Sequence, residues 1–235
     1  MIDAKGIAAL DRRIRFGNIL LLFFASTAAA LVVYWGCAIF GAPKIARALA
    51  AIAAADLSGI WGYQLLADNR DWLSLIDRFS AVPSRVLWAS AAAAIASPLV
   101  FTALVKVLLW LGFNLPSLPS PDFLTGGWPW LPATLLCVGI IGPAAEELMT
   151  RGLLLDWLRQ KMPVWPAILT SALVFGLLHG IALQGGPSGW LQLGYRVGFG
   201  ILTAWLAVRY QSLRPSFVFH ATNNCFIVIA ACFET

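Results

Sequence analysis

Charge is what this sequence has least of. Only 11% of its 235 residues are Asp, Glu, Lys or Arg, against 60% hydrophobic, too little polar surface to coat a soluble core of this size. An ordinary soluble domain is excluded, and a chain of membrane-spanning helices is the class that remains. Histidine is nearly absent: His179 and His220 are the two. The four cysteines (Cys37, Cys137, Cys225, Cys232) fall in apolar stretches without C-x-x-C spacing. They read as reduced packing residues, not as a disulfide or zinc framework. Neither a G-x-S-x-G elbow nor H-E-x-x-H occurs, and no Ser or Cys stands out as a nucleophile, so the hydrolase-elbow and zincin routes fail. No internal repeat or low-complexity segment divides the chain, and a single integral membrane domain over 1–235 is expected. The first apolar run, 16–41, is too long for the core of a signal peptide.

What is present is a series of apolar runs near the ~20 residues that a bilayer requires. About seven spans are expected, with six to eight as the range: 16–41, 45–66, 86–113, 131–158, 164–183, 190–208 and 215–233. The fold class is therefore all-α, a polytopic transmembrane helical bundle. The segment 45–66 is the weakest, Ala-rich with Asp56 midway, and a helix lying at the interface is its alternative. The net charge of +5 collects at span ends: Lys5, Arg12, Arg13 and Arg15 in a basic arm over 1–15, then Arg78 and Arg85, Arg159 and Lys161, Arg209 and Arg214. By the positive-inside rule these ends and the N-terminus are cytoplasmic, and no nucleic-acid partner is needed to explain the charge. Lys44 and Arg47 run against the pattern. Lys106 reads as a snorkelling residue. The compactness of the chain suggests a bacterial inner membrane.

Against that apolar background the run Gly142-Pro-Ala-Ala-Glu146-Glu147-Leu-Met-Thr-Arg151 is conspicuous. Charges there cost several kcal/mol or more if unpaired in hydrocarbon, and they mark a functional site by default. Glu147 and Arg151, at i and i+4 with the acid first, form a favourable pair. Glu146 lies about 100° away from Glu147 on a regular helix and is expected to face elsewhere. Pro143 lacks a backbone donor, freeing the carbonyl of Gly139 and kinking the helix. Counting from the turn at 160–162, Glu146 and His179 are almost equally distant on antiparallel spans. His220 and Asn224 share one face of the last span, and Phe175 precedes His179 by one turn. Three spans thus bring four polar groups into one cavity. Arg196, in the sixth span, is read first as a snorkelling or packing residue, with contact to a substrate carboxylate as the alternative.

Glu146-Glu147-xxx-Arg151, Phe175-xxx-His179 and His220-xxx-Asn224, in that order on successive apolar segments, resemble the three motifs of the CAAX protease and bacteriocin-processing family, glutamic-type intramembrane endopeptidases. The resemblance covers roughly 131–233, the motif-bearing helices. It implies hydrolysis of a peptide bond in a membrane-associated or lipidated protein or peptide, with water as nucleophile. Glu146 would take the water's proton, His179 would position the water, and His220 and Asn224 would donate to the oxyanion. Glu147, Arg151 and Phe175 would support that geometry, and no cofactor is expected.

Other readings of the same residues stay open. Glu146, His179 and His220 are legitimate zinc ligands. A transporter or proton relay would line a pathway with them, although no repeat symmetry of the transporter kind is visible. A non-catalytic membrane binding protein would keep them without turnover. Substrate, cleavage site and oligomeric state are not contained in the sequence.

Overall fold

A computed structural model describes residues 16–66, 77–116, 121, 124, 126–179 and 186–233. The basic arm over 1–15 lies outside the described residues, as do Asp68, Arg70, Asp71 and Asp122. Seven helices are described: α1 (Phe16–Ile39), α2 (Lys44–Leu66), α3 (Ser84–Trp110), α4 (Trp128–Arg159), α5 (Val164–Leu178), α6 (Gly186–Tyr210) and α7 (Arg214–Ala231). Of these, α1, α2, α3, α4 and α6 are long and apolar enough to cross a membrane. The protein is an all-α integral membrane bundle.

Its polarity is inside out. Leu21, Phe24, Val32, Trp35, Leu65, Trp88, Val100 and Trp110 point outward, while Glu147, Arg151, Thr203, His220 and Asn223 are buried. In water that arrangement would expose a wide apolar belt; in a bilayer it places apolar side chains against lipid. The outward Trp residues near helix ends, such as Trp110 and Trp128, suit the headgroup level.

The segment 45–66 is a full member of the bundle, not an interfacial helix. Its small residues explain how so weakly apolar a helix packs inside. A side chain on Gly62 would collide with Leu22 of α1, and one on Gly59 with Met149 of α4. Tyr63, 1% exposed, closes the same contact and touches Gly152. Arg47, the cation that broke the charge pattern, lies with its guanidinium 5.4 Å from the Tyr34 ring centre, so the end of α1 supplies a cation–π partner.

The fifth expected span, 164–183, is described as far as His179. Helix α5 ends at Leu178, and His179 caps it, while 180–185 lie outside the described residues. The end matters for the site. The His179 ring turns back so that Nδ1 donates to the Phe175 carbonyl at 2.8 Å, satisfying one of the free acceptors that every helix C-terminus leaves.

Helix α4 is irregular where the acids lie. Residues Leu135–Ile141 and Leu148–Leu155 adopt wide π turns on either side of an α-helical Gly142–Glu147, and the Gly142 amide donates to the Cys137 carbonyl, five residues back. Such bulges are frequent at functional sites. Together with Pro143 they leave carbonyls without intrahelical donors, and α7 supplies replacements. Asn224 Nδ2 donates to the Val138 carbonyl at 2.9 Å and Cys225 Sγ approaches that of Gly139 at 3.8 Å. The carbonyls of Val138 and Gly139 thus both gain a partner from α7.

Candidate active site

Glu146 and Glu147 project from the short α segment between the two wide turns. A regular helix separates adjacent side chains by about 100°, and the two acids do face different surroundings, Glu146 partly open and Glu147 enclosed beside Arg151. The His220 ring bridges them. Its Nδ1 lies 2.9 Å from Glu147 Oε1, and its Nε2 lies 3.7 Å from Glu146 Oε2. An imidazole carries its two nitrogens on different edges, so one ring spans the angle between the carboxylates.

His179 approaches from α5, its Nε2 3.8 Å from the same Glu146 Oε2. Three helices therefore deliver Glu146, His179 and His220 to one point. The tautomers follow from the partners: Nδ1 of His179 faces a carbonyl and Nδ1 of His220 faces a carboxylate, so each Nδ1 carries the proton. In the neutral rings each Nε2 is then an acceptor. Two imidazole lone pairs and one carboxylate oxygen face each other at distances just beyond a hydrogen bond. What fits such a trio is a proton donor. The Glu146 side chain is 36% exposed, whereas those of His220 and Glu147 are 1% and 0%, so the site opens at Glu146 and is closed behind it.

Behind His220 the polar residues form a web. Arg151 Nη1 lies 3.3 Å from Glu147 Oε1, the oxygen that His220 also uses. The other arm of the guanidinium reaches α6, donating to Thr203 Oγ1 and to the Gly200 carbonyl at 3.4 Å. Its central carbon sits 4.4 Å from the Phe175 ring centre, a cation–π contact in a dry interior. Phe175 in turn meets the rings of His179 at 4.6 Å and His220 at 5.8 Å, the wall that its spacing from His179 implied. Phe199 of α6 packs 4.9 Å from His220 on the same side.

Asn224 stands one turn beyond His220 on α7, as its spacing requires. One of its amide hydrogens is committed to the Val138 carbonyl, leaving the second for another acceptor. Among the described residues no group of three or more His, Cys, Asp or Glu side chains is arranged to hold a metal ion.

Sequence reasoning missed other contributors. Thr150, Phe199 and Thr203 belong to no motif, and only the packing of α4, α5 and α6 reveals them. Asp56, which in the sequence only marks 45–66 as a weak span, lies close to α4. Its Oδ2 is buried without a hydrogen bond and lies 3.3 Å from where a Gly142 side chain would begin. Beyond Phe199 a cavity of about 600 Å³ opens between α3 and α6, lined among others by Val100, Phe101, Leu104, Tyr195 and Phe219.

The geometry has an independent counterpart in comparisons with known proteins. Residues 128–226 match the family model described as type II CAAX prenyl endopeptidase, Rce1-like. Over these residues the chain is similar to that family. The match begins at the first residue of α4 and ends two residues after Asn224, so it contains every motif residue and leaves out α1 to α3. No curated protein and no solved structure matches the chain.

Proposed function

We propose that the protein is an intramembrane endopeptidase of the CAAX type, hydrolysing a peptide bond of a lipidated or otherwise membrane-associated substrate with a water activated by Glu146. The observation that carries the reading is the convergence of Glu146 Oε2 and two histidine Nε2 atoms at 3.7 and 3.8 Å. A water roughly 2.8 Å from each, an ordinary hydrogen-bond length, satisfies all three. It gives protons to Glu146 and to His179 Nε2 and accepts one from His220 Nε2 in the protonated form of that ring, while its other lone pair stays free for the carbonyl carbon.

Each group then has a role. Glu146 takes the proton as the water attacks and passes it to the departing amine. His179, its Nδ1 fixed on the Phe175 carbonyl, orients the water. His220 in its protonated form, held by the Glu147 carboxylate, donates Nε2–H to the oxyanion, assisted by the second hydrogen of Asn224. Glu147 acts on His220 as the orienting acid of a triad acts on its histidine. The cavity beyond Phe199 is apolar and sits one ring from His220, which suits a hydrocarbon chain such as the prenyl group named in the family's description.

The test is cleavage of a lipidated peptide by purified protein in lipid nanodiscs, with peptide termini read by mass spectrometry. Glu146→Gln keeps the shape and removes the base, so cleavage falls at least about 100-fold while the thermal unfolding profile is retained. Full activity in a folded Glu146→Gln protein sinks the assignment. The same preparation decides between protein groups alone and zinc. Cleavage that survives chelation in metal-free protein supports the former; loss that zinc alone restores moves the mechanism to a metal.

A further inference from the structure

Arg196 is a mid-helix cation that the proposed mechanism does not use. It is the eleventh residue of α6 (Gly186–Tyr210), about 15 Å from the nearer helix end at 1.5 Å per residue. That is more than an arginine side chain spans, so snorkelling to a headgroup does not account for it. Its neighbours on the helix fix where it stands. Gly200 and Thr203, one and two turns later, face Arg151 of α4. Helices α4 and α6 run in the same direction, each antiparallel to α5. Stepping back along both from that contact sets Arg196 level with residues 144–147 of α4, the level of the acids. Consistently, its charge acts on Glu146 and on His179.

Among the described residues Arg196 makes no ion pair or hydrogen bond, and its Nε is buried without an acceptor. Its one aromatic contact is the ring of its neighbour Tyr195, at 5.9 Å. Arg151 shows the contrast: its Nε also lacks an acceptor, but its two terminal nitrogens reach Glu147, Thr150, Gly200 and Thr203. A guanidinium inside a membrane protein is costly without an anion, and its planar fork matches a carboxylate with two parallel bonds.

We propose that Arg196 is a specificity residue that binds the C-terminal carboxylate of the substrate, so that the enzyme measures its cut from the free chain end. This rests on the reading of the site as a peptidase. An extended chain advances at most about 3.3–3.6 Å per residue, so a terminal carboxylate held beside the Glu146–His179 pair sits only a few residues from the scissile bond. The enzyme therefore releases a short C-terminal peptide and passes over internal sites.

Two lipidated peptides, identical except for a free C-terminal acid or an amide, test it. Wild type is expected to favour the acid by about 10-fold or more in kcat/KM, mostly through KM. In Arg196→Gln the acid-to-amide ratio falls to about one, and Arg196→Lys keeps part of the preference. Binding of the same peptides to Glu146→Gln protein, followed by fluorescence anisotropy, reads the preference without turnover. Cleavage without acid preference, or a preference that survives Arg196→Gln, overturns the carboxylate site and leaves the peptidase standing. Selective binding of the acid that Arg196→Gln abolishes, with no cleavage by wild type, does the reverse.

Discussion

Glu147 and Arg151 are each fully enclosed, and one oxygen of Glu147 serves both Arg151 and His220. Burying the pair costs desolvation, and what offsets it is their mutual attraction together with His220 on Glu147 and Thr150 and Thr203 on Arg151. Removing one ion leaves the other uncompensated. Arg151→Met is therefore expected to cost about 3–5 kcal/mol, seen as a fall in thermal stability in detergent and as lost activity. In Glu147→Gln/Arg151→Met the stranded charge is gone as well, so the double variant is more stable than Arg151→Met alone although His220 has lost its anchoring carboxylate. Additive losses would mean that the two residues are not a unit. At this scale the residue types were readable from the chain, because acids, histidines and an arginine are so rare in it. The partner of His220 was not. An angular count on a regular helix cannot anticipate that a single imidazole bridges neighbouring carboxylates.

At the scale of the helix, the site depends on how closely α5 and α6 approach. A side chain on Gly200 would begin 2.9 Å from the Ala172 backbone, a contact that no side-chain rotation relieves. Gly198, two residues away, faces open space. Alanine at either position gains helix propensity of about 1 kcal/mol over glycine, so packing decides the outcome. Gly200→Ala is expected to destabilise by about 1–3 kcal/mol, as overpacking does, and to lower activity by moving α5, and with it His179, away from Glu146. Gly198→Ala is expected to match or slightly exceed wild-type stability. Thermal unfolding and cleavage assays on the pair check both directions. Equal effects at the two positions would show that the α5–α6 contact is not what holds the site. Six of the seven helices were plain from apolar run length, and α2 became certain only through the small residues that seat it against α1 and α4. The wide turns of α4 were legible only in part. Pro143 announces a missing donor, but the carbonyls are completed by Asn224 and Cys225, more than eighty residues away.

For the whole molecule the open matter is which face of the membrane each end of the bundle meets. The structure gathers the basic segments at one end. The Leu213 amide donates to the Arg78 carbonyl at 2.7 Å, Ser212 Oγ donates to the Ser80 carbonyl, and Arg78 pairs with Asp156. Arg78, Arg85, Arg159, Lys161, Arg209 and Arg214 therefore belong to one face of the bundle. At the far end Ser188 Oγ donates to the Pro116 carbonyl at 2.6 Å and Trp128 stacks edge-on with Phe233, away from those basic side chains. The charge bias predicts that the basic face is cytoplasmic. A membrane-impermeant maleimide distinguishes the two ends: Asn114→Cys is labelled in intact cells, and Lys161→Cys only after permeabilisation, with unsubstituted protein as the control for its own cysteines. The reverse pattern would invert the bundle and bring substrates from the outer side. Orientation bears on access because Glu146 lies fifteen residues before Lys161, about 22 Å along α4 at 1.5 Å per residue, and eighteen after Trp128. The acid is thus near mid-depth and slightly closer to the basic end. A substrate whose lipid is held in the membrane and whose C-terminus enters from the cytoplasm would reach Glu146 and Arg196 together.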